Sequence, residues 1–337
     1  MKTILVPIDY SQSSKDALAY AYALAGATKA EIVLLHVFYQ PVYSPDALRV
    51  ESMMEKLEAS NLSILEGYVK EFKAELSRDF AIRFKSSLAA EMEDFYLQSP
   101  LRKRFHTVEV EGNMPDAAQV PVTCLTRFGF ATEQIISVAK EYQADLIVMG
   151  MKGAGALDRA FLGRTVLAVM QDSRVPAIAV PKGWKFKGLG SLVFALDVAE
   201  LPDRRGLHLL KELVEHYASQ LYVLHLYSDQ KLQQESNHVF KALDILDVQL
   251  KGIDYKVYFQ QREDIAESIQ DYVNDQQAEM LVLVPARHSF LDRLLNRSIT
   301  VRLAAQTHVP VLSLPPSSLQ NLERKLLRLH EDCVSEV

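Results

Sequence analysis

Gly150, Gly153 and Gly163 fall in the spacing Gly-x2-Gly-x9-Gly. Residues of this type at this spacing suit phosphate binding. Backbone N–H groups must come close to anionic oxygens, and glycine lacks the Cβ that would hold them apart. Gly150 closes an apolar run, and Gly153 lies in the segment after it. Gly163 precedes a helical pattern from Arg164. The N-terminus of such a helix offers unpaired N–H groups and a favourable dipole. Lys152 and Arg164 are cations beside this segment. Arg164 would either grip a phosphate or block its pocket. The same glycines would also serve tight turns and a helix cap, and spacing alone leaves both roles open.

Other chemistries find no pattern. No histidine pair has the helical spacing of a metal site, and no Cys–His cluster exists. Neither a Gly-x-Ser-x-Gly elbow nor a Walker A loop occurs. His36 and His225 lie inside apolar strand-like runs and read as satisfied core residues. Arg102-Lys103-Arg104 reads as a solvated patch.

The glycine segment is half of an internal repeat, which sets the domain count. A shift of 134 residues lays 145–181 on 279–315 without a gap. Leu157-Asp158-Arg159 then falls on Leu291-Asp292-Arg293, and Pro176 on Pro310. Gly150, Gly153 and Gly163 fall on Val284, Arg287 and Arg297. The second copy has lost the glycines, so the two copies are expected to do different work.

The elements that must position these residues are legible as alternating runs. Thr3–Ile8 reads as a strand ending at Asp9, before an Ala-rich helix that Gly26 is expected to stop. Glu31–Phe38 is apolar without alternation, as suits a parallel strand buried on both faces. A helix over roughly Pro45–Arg78 follows. Strands at Val120–Arg127, Asp145–Gly150 and Ala177–Val180 alternate with helices at Thr132–Tyr142 and Arg164–Asp172. The second copy restates the series with strands at Ser191–Leu196, Leu221–Tyr227, Tyr255–Gln260, Met280–Val284 and Val311–Leu314. Its helices are expected at Pro202–Tyr217, Lys231–Leu250, Glu263–Asn274 and Ser298–Gln306. Asp197 corresponds to Asp9, and Leu224-His225-Leu226 to Leu35-His36-Val37. Such alternation predicts α/β halves with parallel sheets and right-handed crossovers. The expected domains are 1–181 and 189–316, with a boundary at Lys182–Gly190 and an amphipathic tail helix in 317–337. An insertion near Phe80–Ala118 belongs to the first copy alone.

The length of 337 residues suits two domains of ordinary size. A net charge of -6 argues against a general nucleic-acid binder. Cys124 and Cys333 fit a reducing compartment rather than a disulfide framework. No apolar run approaches the ~18 residues of a membrane helix, and Met1–Asp9 reads as a strand and turn rather than a signal peptide. The expectation is a soluble, cytoplasmic protein without nucleic-acid or membrane partners.

Several of these residues together resemble the universal stress protein family, in tandem form. The carriers are Ile4-Leu5-Val6-Pro7-Ile8-Asp9, Leu35-His36-Val37, Ala144–Gly150, the three spaced glycines, and Val175-Pro176 through Val180-Pro181. The resemblance covers nearly the whole chain. It implies two doubly wound, parallel, five-stranded sheets of order 3-2-1-4-5, of the adenine nucleotide alpha hydrolase type, in pseudo-two-fold tandem. It implies that the last strands of the two copies meet edge to edge, within one chain or between chains of a homodimer. It also implies an adenine-nucleotide site at the carboxyl ends of strands 1 and 4, where open α/β sheets hold ligands.

In that site Asp9 would meet the adenine and ribose side, unless it merely caps the following helix. Val33 corresponds to the family's apolar residue near adenine. The family places Ser or Thr directly after the third glycine; here Arg164 stands there and Thr165 follows. The expected function is regulatory: the first copy binds ATP or another adenine nucleotide, with magnesium as its companion, and acts through a protein partner in a stress response. The second copy, despite Asp197 and Ser298, is expected not to bind ATP in the family manner. One rival is a slow ATPase, with Asp158 as a distant candidate for orienting water. The other is a nucleotide-free interaction protein, in which Arg164 fills the pocket and the insertion recruits a partner.

Overall fold

The computed structural model describes residues 1–39, 53–76, 120–151, 163–196, 201–227, 242–261, 265–285 and 307–317. The Phe80–Ala118 insertion, the helix expected at Ser298–Gln306 and residues 318–337 lie outside them.

In the first half, β1 (Thr3–Ile8), α1 (Gln12–Thr28), β2 (Glu31–Phe38), α2 (53–76) and β3 (Val122–Phe128) follow in order. Then come α3 (Ala131–Glu141), β4 (Leu146–Gly150), α4 (Arg164–Asp172) and β5 (Ala177–Val180). The second half runs β6 (Ser191–Ala195), α5 (Arg204–Tyr217), β7 (Gln220–Tyr227), α6 (242–249) and β8 (Tyr255–Gln261). It closes with α7 (Ile265–Asp275), β9 (Met280–Leu283) and β10 (Val311–Ser313).

The strands form one ten-stranded sheet, ordered β3-β2-β1-β4-β5-β10-β9-β6-β7-β8. Within each half every neighbouring pair is parallel. The single antiparallel pair is β5 with β10, where Ala177, Ile178 and Ala179 lie opposite Ser313, Leu312 and Val311. Both halves therefore have the expected 3-2-1-4-5 order, and their last strands meet within the chain.

The side-chain period of two sorts the core onto the two faces. Ile4, Val6 and Ile8 of β1 face a cluster that includes Leu146, Phe194, Met280 and Leu312. Helices α1, α2, α5 and α6 cover it with Leu18, Phe72, Leu210 and Leu246. Leu5 faces the other cluster, with Ile147, Val193, Leu281 and Val311. There α3, α4 and α7 contribute Val138, Val169 and Ile269. Each cluster takes residues from both halves, so the hydrophobic contact crosses the β5–β10 pairing on both faces.

Helix α1 departs from expectation at its end. Gly26 does not stop it; the helix runs on to Thr28, and Lys29 takes the left-handed conformation at φ 57° instead. Glycine inside a helix costs only about 1 kcal/mol against alanine. Burial of Leu18, Tyr22, Leu24 and Ala25 on the sheet outweighs that. The other long helix of this face starts later than expected: α5 begins at Arg204, because Pro202 is bridged to Pro316 and Asp203 caps the helix by accepting from the Gly206 N–H.

Both histidines are structural, as their setting suggested. His36 donates through Nδ1 to the Ile8 carbonyl at 2.9 Å, and His225 does the same to Leu196 at 3.1 Å. Each ties the second strand of its half to the end of the first.

Burial pushes the Tyr68 and Tyr217 hydroxyls up from 10.0 to about 12. Their folded-state values are raised, so the stability they contribute is complete below the unfolded value and lost as pH climbs through the folded one. Urea unfolding followed at increasing pH should therefore show stability falling above pH ~10, in step with tyrosinate absorbance. Stability that stays flat through that range would contradict buried, protonated phenols.

Candidate functional site

The strand order reverses direction at β1, which pairs with β2 on one side and β4 on the other. Crossovers from such a switch point run to opposite faces and leave a crevice at the carboxyl ends. Asp9 directly follows β1 there and is exposed. Its Oδ1 accepts from the Ser11 N–H at 3.1 Å, forming the turn into α1. The cap of α1 is Ser11, whose Oγ accepts from the Ser14 N–H at 3.2 Å. Asp9 thus shapes the mouth of the crevice without being the helix cap.

At the end of β4 the glycine has a packing role that its spacing did not disclose. A Cβ on Gly150 would stand 2.4 Å from the Ser13 carbonyl oxygen and 2.5 Å from its Oγ. Backbone cannot yield at that distance. Gly150 therefore lets the first turn of α1 lie directly against β4. Neither a phosphate approach nor a tight turn is needed to explain it.

The chain then leaves the sheet and returns to the same point. Met151 donates to the Val180 carbonyl at 2.9 Å, and Gly163 donates to the Met151 carbonyl at 2.8 Å. Residues 152–162, with Lys152 and Gly153, lie outside the described residues. Gly163 is the N-cap of α4 at φ -59° and ψ 139°, and no side chain caps the helix. Its own N–H is committed to Met151. The first helical N–H groups, those of Arg164, Thr165 and Val166, have no partner further back in the helix, whose repeating bonds start with Leu167 to Gly163. Arg164 is exposed and Thr165 half-buried.

Val33 is placed elsewhere. It pairs with Leu5 in mid-strand and is 1% exposed, inside the core. The register sets Ile8 opposite His36, so the residue level with Asp9 on β2 is Val37. Val37 is half-buried and packs on the same face as Met149 and Met151. Sequence reasoning passed over Val37; counting the register back from Asp9 would have placed it at that level. The structure thus gathers Asp9, Val37, Met151, Gly163, Arg164 and Thr165 around one rim of the first half, with Gly150 as the spacer beneath.

Among the described residues the second half departs from this arrangement at the end of β9. Val284, at the position of Gly150, is buried in the core at 5% exposure. Its side chain takes room of the kind that α1 occupies in the first half. Asp197, Arg287, Arg297 and Ser298 lie outside the described residues, as do Asp158 and Asp292. Among the described residues no three His, Cys, Asp or Glu side chains gather as a metal site. None of their helices is long and apolar enough to cross a membrane.

The universal stress protein family model matches residues 1–181 and again 191–315. The chain belongs to the universal stress protein family. It carries the family's pattern twice, on one continuous sheet. A universal stress protein from Archaeoglobus fulgidus DSM 4304 is similar over 93% of this chain and 98% of its own, at 16% identity and a TM-score of 0.58. A protein of unknown function from Pseudomonas aeruginosa PAO1 is similar over 98% of both chains, at 15% identity and a TM-score of 0.53. At these identities the likeness is one of fold. The universal stress protein from Archaeoglobus fulgidus in complex with dAMP matches 38% of this chain and 98% of its own, at 17% identity and a TM-score of 0.29. No curated protein has a sequence that matches this one significantly.

Gly150→Ala should destabilise the chain by about 1–3 kcal/mol or more, as overpacking against fixed backbone does. Gly163→Ala, at an ordinary φ, should cost only a few tenths to about 1 kcal/mol. Urea midpoints of the two variants check the contrast, and equal losses would remove the special role given to Gly150.

Proposed function

We propose that this universal stress protein is a regulatory module that binds ATP or another adenine nucleotide through its first half. Asp9 and Val37 take the adenine and ribose side. The unpaired N–H groups at the start of α4 take phosphate, with Arg164, Thr165, Lys152 and Gly153 around it and magnesium as companion ion. The second half, lacking the glycines, acts as the structural partner. The units are read as 1–181 and 189–316, with a tail helix in 317–337, in a cytoplasmic protein that signals through a protein partner.

The observation that carries the reading is the return of the chain to Met151 at Gly163. That contact aims an uncapped helix N-terminus at the rim where Asp9 ends β1. Oriented N–H groups and a helix dipole favour an anion there. The exposure of Arg164 supports an accessible rim over a plugged one, which weakens the nucleotide-free rival.

Calorimetric titration of magnesium-ATP into the wild type and into Gly153→Arg, which copies the second repeat, tests the reading. Binding by the wild type and none by the variant is the expected pair of results. Thermal unfolding should agree, since a ligand at a hundredfold excess over Kd adds about 2.7 kcal/mol. Heat in neither titration, with no shift in Tm for ADP or AMP, would overturn it.

A further inference from the structure

A cavity lies away from the glycines, where the two halves join. The antiparallel pairing of β5 and β10 puts the carboxyl end of β5 beside the amino ends of β10 and β9. Residues 181–190 must run along that rim from β5 to β6. Two side-chain contacts hold this connection. Asp16 of α1 accepts from the Gly183 N–H at 2.6 Å, and Glu279 accepts from the Gly190 N–H. Between these points the connection stands over the end of α7 and lines a half-open cavity of about 540 Å³. That is within the ordinary size of small-molecule sites, about 300–1,000 Å³.

The walls of the cavity differ in character. Its apolar side is Trp184, Val273, Ala278 and Val309. Trp184 is half-buried and packs against the core clusters of both sheet faces. It offers the cavity one large flat surface. The polar side carries Lys185 and Lys187, both exposed. Two residues apart in a stretch without helix, they lie on one side of the connection. Neither is in an ion pair among the described residues. The carboxylate in the lining, Glu279, accepts from the Gly190 N–H, and the two ammonium groups outnumber it. A half-buried indole, an apolar floor and two ammonium groups without an ion pair among the described residues are complementary to one ligand shape.

We propose that this cavity binds a small flat aromatic anion, its ring against Trp184 and its charged group between Lys185 and Lys187. Carboxylate, sulfonate and phosphate head groups share the chemistry that these lysines would recognise. The site is independent of the nucleotide reading, because none of its residues belongs to the crevice at Asp9 and Gly163.

The chain has one tryptophan, so its fluorescence reports on this cavity alone. The full chain is titrated with anilinonaphthalene sulfonate, a flat aromatic anion that accepts energy from indole. Saturable quenching of Trp184 with one equivalent is expected. In Lys185→Ser/Lys187→Ser the affinity should fall about tenfold, the effect of two exposed charges each worth up to ~1 kcal/mol. Both lysines are exposed, so the variant should fold. Uncharged N-phenylnaphthylamine should bind the wild type weakly and be insensitive to the substitutions. Gly153→Arg should quench as the wild type does, which separates this site from the nucleotide crevice. Quenching that does not saturate, that survives the double substitution unchanged, or that Gly153→Arg abolishes would overturn the proposal. Aromatic carboxylate and aromatic phosphate competitors then show which head group displaces the probe.

Discussion

The antiparallel pairing of β5 with β10 is the constraint on which the rest of the molecule depends. A parallel sheet built from crossovers ends in an open last strand, and an open edge invites pairing with another chain. Here each half closes the other's edge. Ala177–Ala179 and Val311–Ser313 are buried where they pair, and Ser313 Oγ reaches back to the Met170 carbonyl of α4 at 3.2 Å. Because the pairing is antiparallel, the carboxyl ends of the two halves point to opposite rims. A ligand in the first half's crevice therefore shares its rim with the amino ends of the second half's strands, where residues 181–190 run.

Much of this was legible because apolar runs of strand length leave little choice. Strands at 3–8, 31–38 and 177–180 have the expected bounds, since turns and polar residues fence them. Contacts made across long sequence separations were not legible. Nothing near Gly150 announces that Ser13 will lie against it. That Val37 lies level with Asp9 depends on a strand register the sequence does not state. Gly26 looks like a stop only when the helix is judged by propensity, without the sheet on which it packs. The cap of α1 was left open, because Asp9 and Ser11 both suit a helix start and only geometry chooses Ser11.

The halves have kept some devices and exchanged others. Asp145, just before β4, accepts from the Lys2 and Thr3 N–H groups at 2.5 and 3.1 Å, fastening the start of β1. Glu279, its counterpart just before β9, does the same for Gly190 before β6. The close helix contact has moved instead. In the first half the small residue is on the strand, at Gly150 facing α1. In the second it is on the helix, at Gly206, where a Cβ would meet that of Leu314 at 3.2 Å. Only Asp9, Tyr10 and Ser11 join β1 to α1, whereas residues 196–203 join β6 to α5. The longer connection lets α5 settle elsewhere, and the room beside β9 goes to Val284.

Joining the halves by one chain has a further consequence. Were the same seam formed between two identical subunits, every substitution would appear on both sides of the axis, and a glycine lost from one crevice would be lost from the other. It would also weaken on dilution. A covalent connection fastened at Gly183 and Gly190 keeps the halves at a fixed effective concentration. Symmetry is then no longer enforced by identity of sequence. One crevice can be surrendered to packing while its twin is kept, and the sheet between them stays whole.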